Sequence, residues 1–212
     1  MSAYDLEEQE KIAELKAWWK RYGGLVVTTL VLGLLVVAGV RYWSHYKLNQ
    51  AQEAASAYGE LLKAVEAKDQ KKVRDVSGTL IEQYPRTIYA PLGAFVSAKQ
   101  HVESGDLKTA RAQLQWVVDK AKDDQIEALG RVRLAHVLLD EKENEAAVKL
   151  LEAKHPDSFS GAFADLRGDA YTALGNKAEA RKAYTLALEK ISKDERVTRD
   201  LVQMKLDALG EA

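Results

Sequence analysis

Tyr22 to Val40 is a run of nineteen residues without a charge. A helix of that length spans about 28 Å, close to the hydrocarbon thickness of a bilayer. Only Thr28 and Thr29 interrupt the apolar character of the run. Its eleven Leu and Val residues contribute on the order of −3 to −6 kcal/mol towards membrane insertion. Trp18 and Trp19 stand before it with Tyr22 at its start, and Tyr42, Trp43 and Tyr46 after it; three of the four Trp are here. Amphipathic rings favour the headgroup layer, so paired aromatic belts mark a helix that spans and stays.

The competing reading is a cleaved export signal, for which Val36, Val37 and Ala38 offer a passable small-residue site. Against it, the preceding segment carries Asp5, Glu7, Glu8, Glu10 and Glu14, unlike a short basic leader, and the apolar stretch exceeds the usual signal core. A retained anchor is favoured, and a buried soluble helix is disfavoured. Lys11, Lys16, Lys20 and Arg21 precede the run, whereas Arg41 and Lys47 follow it closely. Positive residues stay on the cytoplasmic side, so the expected orientation is N-terminus in and C-terminus out. The expected divisions are a cytoplasmic tail over 1–21, a span over 22–42 and an exported domain over 43–212.

Lys+Arg number 31 against Asp+Glu 32, so no basic excess points to nucleic acid. The chain has no cysteine, which excludes disulfides and thiolate metal sites and fits an oxidising compartment. Few prolines and much Ala, Leu, Glu and Lys predict an almost wholly helical protein. Between Val40 and Tyr58 there is neither Pro nor Gly, so the spanning helix is expected to run into the first domain helix.

Internal repetition decides the expected fold. The clearest copy, residues 166–190, reads LRGDAYTALGNKAEARKAYTLALEK, with Gly168, Tyr171, Gly175, Ala180, Tyr184 and Ala187 as its signature. This resembles the tetratricopeptide repeat, in which small residues let two antiparallel helices approach and Tyr fills the gap between them. Ala180, Ala183, Tyr184, Ala187, Leu188 and Ile191 share one helical face. Ala98, Gly105, Ala110, Leu114 and Val117 form a second copy. Ala135, Leu138, Lys142, Ala147 and Leu151 form a third, closed by His155 and Pro156. A degenerate first copy turns at Lys68 and Asp69 and ends at Tyr84 and Pro85. The turn positions 68, 105, 142 and 175 are separated by 37, 37 and 33 residues. The expected fold is all-α, a single N-terminal transmembrane helix followed by a tetratricopeptide-repeat-like solenoid. A capping box at Ser192 to Glu195 is expected to open a terminal helix that covers the last repeat through Val197, Leu201, Met204 and Leu209.

No catalytic constellation accompanies this pattern. His45, His101, His136 and His155 lack mutual ligand spacing, and there is no HExxH, GxSxG, GxxxxGK[ST] or GxGxxG. The expectation is a non-enzyme without cofactor, metal or small-molecule substrate. In tetratricopeptide arrays the first helix of each pair lines a groove. The template places there Tyr58 and Leu62, then Phe95, Lys99 and Val102, then Val132, His136 and Leu139, then Asp165, Asp169 and Thr172. Such a mixture suits an extended or helical protein segment. For the apolar members, packing between repeats is the commoner role.

The opening stretch YDLEEQEKIAELKAWWKRYG (4–23), the segment EQYPRTIYAPLGAF (82–95) and the final repeat together resemble the YfgM family of inner-membrane proteins. That resemblance implies an ancillary subunit of the SecYEG translocon, partnered with the periplasmic chaperone PpiD, that helps newly exported polypeptides pass to periplasmic chaperones. Two other readings share these features. One is a regulator that holds a cytoplasmic signalling protein through Leu6, Ile12, Leu15 and Trp18; the other is a passive scaffold for envelope assembly.

Overall fold

The computed structural model describes the backbone of residues 3–210 and the side chains of residues 8–210. Leu6, named on the apolar face of the tail, falls outside the described side chains. Among the described residues the fold is all-α. The helices are α1 (Ala3–Glu66), α2 (Gln70–Gln83), α3 (Tyr89–Glu103), α4 (Leu107–Lys120) and α5 (Asp124–Asp140). They continue with α6 (Asn144–Leu151), a 3-10 turn (Asp157–Phe159), α7 (Ser160–Ala173), α8 (Lys177–Lys190) and α9 (Arg196–Ala208). The chain forms two compact units, residues 1–52 and residues 53–212.

The first unit is the N-terminal part of α1. Leu25 is 69% exposed and Leu34 70%, and only 6% of the most apolar window is buried. A helix of a soluble core would hide these side chains, and no soluble surface tolerates so large an apolar area. The segment is long and apolar enough to cross a membrane. Its two threonine hydroxyls are satisfied internally. Thr28 Oγ1 donates to the Gly24 carbonyl at 2.8 Å and Thr29 Oγ1 to that of Leu25 at 2.9 Å, which removes the cost of a bare hydroxyl in hydrocarbon. At one end Trp18 lies 5.8 Å from Tyr22, with Arg21 over the Tyr22 ring at 5.5 Å. At the other Trp43 stacks on Tyr46 at 6.0 Å, with Lys47 over Trp43 at 5.5 Å. Each end thus carries cation and aromatic together, the combination suited to headgroups.

The second unit is a stack of helix pairs, and each pair is closed by the same turn. Lys68, Gly105, Lys142 and Gly175 all have positive φ, at 56°, 80°, 67° and 73°. At each, the next residue donates its N–H five residues back: Asp69 to Ala64, Asp106 to His101, Glu143 to Leu138 and Asn176 to Tyr171, at 2.8–2.9 Å. This is the Schellman closure, in which a left-handed residue lets the chain reverse while capping the last carbonyls. The following residue then opens the second helix. The side chains of Asp69, Asp106 and Asn176 accept from the N–H groups of Lys72, Thr109 and Glu179. Glu143 occupies the equivalent position but makes no such cap, because its longer side chain suits that geometry poorly.

Small residues set how closely the pairs approach. Ala98, Ala110, Ala135, Ala147, Ala180 and Ala187 are fully or almost fully buried. Beside them, Leu61, Leu80, Leu134, Leu151 and Phe163 are large side chains without exposure; burying each is worth about 1.5–3 kcal/mol. A Cβ on Gly93 would stand 2.8 Å from Leu80 Cδ1, and one on Gly130 3.0 Å from Val117 Cγ1. These two glycines are 37 positions apart, the same interval as the turns, and they seat α3 on α2 and α5 on α4. Their equivalence escapes the repeat template, which carries no glycine at that position.

The end of the array departs from the capping-box expectation. α9 starts at Arg196 after Glu195, which makes no side-chain cap, and Ser192 Oγ only accepts from the Asp194 N–H at 3.3 Å. The helix is instead held from outside its first turn. Arg199 donates to the carbonyls of Leu188 and Ile191, using the free carbonyls at the end of α8. At the other end Arg181 donates to the Gly210 carbonyl. The side chains turned inward are Val202, Leu206 and Leu209. Val197, Leu201 and Met204, expected to cover the last repeat, are 84%, 52% and 67% exposed. Their stripe lies on the opposite side of the helix from Val202.

Candidate protein-binding surface

The first helices of the pairs are the C-terminal part of α1 and helices α3, α5 and α7. They carry all of the residues assigned to a groove, but those residues divide by accessibility. Leu62, Lys99, Val102, His136 and Thr172 are exposed. Tyr58, Val132 and Leu139 are half-buried, with Val132 and Leu139 packed around Phe163 and Leu166. Tyr58 leans on Tyr89 with ring centroids 5.6 Å apart.

Phe95 lies in the core at 4% exposure, so it does not line an open surface. The Arg133 guanidinium sits 4.3 Å over its ring and closes the remaining access. The physical cause is position: Phe95 packs beside Ala94, Ala98 and Leu114, where apolar area is removed from water on every side. What this part of the surface presents is the Arg133 cation.

Asp165 and Asp169 are not free carboxylates. Lys205, from α9, reaches both at 2.8 Å. The Tyr184 hydroxyl donates to Asp169 at 2.8 Å and lies 3.2 Å from Thr172 Oγ1. Burial raises the Asp165 carboxyl above its ordinary value by more than Lys205 lowers it. Burial also works against the Lys205 charge, but the hydrogen bonds it donates to both carboxylates outweigh it and hold the ammonium charged above its usual range. The two shifts favour opposite proton positions. Two 2.8 Å contacts to one ammonium identify the charged lysine as the dominant form. Burial likewise raises the Tyr184 hydroxyl well above 10. The sequence offers no local sign of this cluster, because Lys205 is 36 and 40 residues from its partners.

A cleft of about 180 Å³ opens between α5, α7 and the α8–α9 connection, lined by Val132, His136, Asp165, Leu166 and Lys190. It brings an imidazole, an ammonium and apolar walls together where the template located a groove. A larger cleft of about 350 Å³ lies elsewhere, around Glu127, Arg131 and His155. There Arg131 pairs with Glu127 and donates to the Lys154 carbonyl at 3.0 Å, so its strongest groups already serve the fold. Among the described residues no three His, Asp or Glu side chains cluster as metal ligands. What is accessible at the assigned positions is a set of scattered apolar side chains, single cations and the His136 imidazole.

The sequence comparisons agree with this architecture. The tetratricopeptide repeat-like domain family matches residues 16–211. A protein of Neisseria gonorrhoeae named ancillary SecYEG translocon subunit is 32% identical over 208 residues, 98% of this chain and 99% of its own length. The chain belongs to the ancillary SecYEG translocon subunit family. Members from Haemophilus influenzae, 28% identical over 98% of this chain and 100% of the relative, and Escherichia coli, 27% identical over 99% and 100%, carry the same name. Because these family members align over nearly their whole length, the similarity takes in the N-terminal apolar segment as well as the repeats. A tetratricopeptide-like domain in this family points to binding rather than catalysis.

Proposed function

We propose that this chain is a membrane-anchored ancillary subunit of the SecYEG translocon that binds polypeptide on the outer side of the inner membrane. The observation that carries this reading is the full-length similarity to proteins of that name, joined to an apolar helix with 6% of its window buried. Residues 1–21 form a cytoplasmic tail, 22–42 span, and 43–212 are periplasmic. Trp18, Trp19, Lys20, Arg21, Tyr42 and Trp43 hold the span in register with the two headgroup layers. The span stays attached and confines the repeats to a thin layer at the membrane, raising their effective concentration near any partner embedded there.

Weak contacts then suffice. Leu62, Lys99, Val102 and His136, with the cleft beside Asp165, receive segments of newly exported polypeptides. Those segments pass on to periplasmic chaperones, with PpiD as the membrane-anchored partner. The anchor supplies the location and the repeats supply the binding.

The test is photo-crosslinking of the full chain in native inner membranes, from probes at Trp43 and Tyr46. Adducts with SecYEG subunits are expected, and PpiD adducts from probes at Lys99 or His136. Adducts with neither, at probe positions that react readily, would sink the reading. Protease added to spheroplasts should remove residues 43–212 and spare the tail. A mature chain beginning near Gly39 would remove the anchor.

A further inference from the structure

The outer face of α9 is an exposed apolar stripe with a self-complementary edge. Val197, Leu201 and Met204 follow one another at i, i+4 and i+7 and are 84%, 52% and 67% exposed. At about 100° per residue they share one side of the helix, opposite the Val202, Leu206 and Leu209 side that docks on the last repeat. Along one border of the stripe run Arg196, Asp200, Gln203 and Asp207, all exposed.

We propose that this face is a contact between two copies of the chain, with the two α9 helices antiparallel about a two-fold axis near Leu201. In such a pair each border meets the same border of the other copy, running the opposite way. Arg196 then faces the partner's Asp207, and Asp207 faces the partner's Arg196. Gln203 faces the partner's Asp200, whose carboxylate accepts from the amide. Arg196 and Asp207 meet opposite charges, Asp200 meets an amide donor that within its own copy also reaches Asp207 at 2.7 Å, and the apolar stripe closes on itself. Met204 seats between the partner's Leu201 and the partner's Val197.

An anionic bilayer fits the same face poorly. Asp194, Asp200 and Asp207 outnumber Lys193 and Arg196 around it, and interfacial helices draw on a basic border. Three apolar side chains per copy fall short of the roughly 1,200 Å² buried by stable soluble complexes. The contact therefore forms between copies held in one membrane, where tethering raises their effective concentration. It rests on the membrane-anchored reading above, not on the assignment to the translocon.

The full chain lacks cysteine, so Leu201→Cys gives a single reporter thiol. Reconstituted in lipid vesicles and oxidised, this variant should yield a covalent dimer, while Lys149→Cys on α6 should not. Adding Arg196→Asp or Asp207→Arg should cut the yield several-fold, and the double swap should restore it. These side chains are exposed, and circular dichroism of each variant checks that the helices persist. Three results would overturn the proposal: no dimer although the thiol reacts with maleimide, a yield indifferent to the single swaps, or a thiol shielded by the vesicles alone. A Leu201→Cys cross-link in native membranes to another protein, in place of a second copy, would overturn it equally.

Discussion

The ring of Tyr184 fills the space in which a side chain on Gly168 would stand. A Cβ there would come within 2.8 Å of Tyr184 Cζ and nearer still to the ring edge. The α7 backbone at Gly168 therefore packs directly against the Tyr184 ring, which is 2% exposed and supplies the bulk between the two helices. Gly168→Ala should cost about 1–3 kcal/mol through overpacking. Gly78→Ala, at a helical glycine with open space around it, should instead stabilise by about 0.5–1 kcal/mol. Thermal melts of the two variants, read beside the wild type, check the opposite signs.

The four left-handed turns invite a second comparison. Gly105 and Gly175 adopt positive φ freely, whereas Lys68 and Lys142 hold φ of 56° and 67° with a Cβ present. Left-handed strain of about 1–2 kcal/mol, less the greater chain entropy of glycine, predicts a gain of about 0.5–1 kcal/mol for Lys142→Gly. Glu143→Asp should add about 0.5–1 kcal/mol by supplying the missing cap. Urea unfolding of the single and double variants measures both, and the pair should be close to additive only if the turn geometry stays the same.

Lys205 and Tyr184 predict how the repeats respond to alkali. Both have folded values raised above their ordinary ones. A raised group contributes stability that is full below the unfolded value and is lost as pH rises through the folded one. The loss therefore begins near pH 10, the ordinary range of both groups, and is absent at neutral pH. Lys205→Met should remove the lysine's share of that alkaline decline and leave the Tyr184 share, while lowering stability near pH 7 by about 1–3 kcal/mol, because Asp165 and Asp169 lose their shared cation. Melting temperature followed from pH 7 to pH 11 separates the two effects.

The two faces of α9 predict unequal costs for neighbouring substitutions. Val202 is 0% exposed and Leu201 is 52% exposed. Val202→Ala should destabilise by about 2 kcal/mol through lost burial and a cavity. Leu201→Ala should stay within about 0.5 kcal/mol in detergent. Equal losses at both positions would mean that α9 docks by another face.

Much of this protein is legible in the sequence because the responsible forces are local. The span is an uninterrupted apolar segment matched to bilayer thickness, and no tertiary contact is needed to recognise it. The turns at 105 and 175 follow from short-range chemistry, since a reversing chain needs a residue that tolerates αL followed by one that caps the next helix; those at 68 and 142, where lysine takes the αL position, are legible through the repeat interval. The alternation of small and large residues in 166–190 likewise encodes how near two adjacent helices can come.

Where a helix offers two apolar stripes, only docking decides which one is buried. In α9, Val197, Leu201 and Met204 compete with Val202, Leu206 and Leu209 at equal periodicity. The anchoring of Arg199 on the α8 carbonyls and of Lys205 on Asp165 and Asp169 selects the second set. The same holds for Phe95, drawn into the core beneath Arg133, and for two carboxylates consumed by a lysine 36 and 40 residues away. Periodicity is a property of one helix, whereas burial belongs to the pair of surfaces that meet, and that pairing exists only in the folded chain.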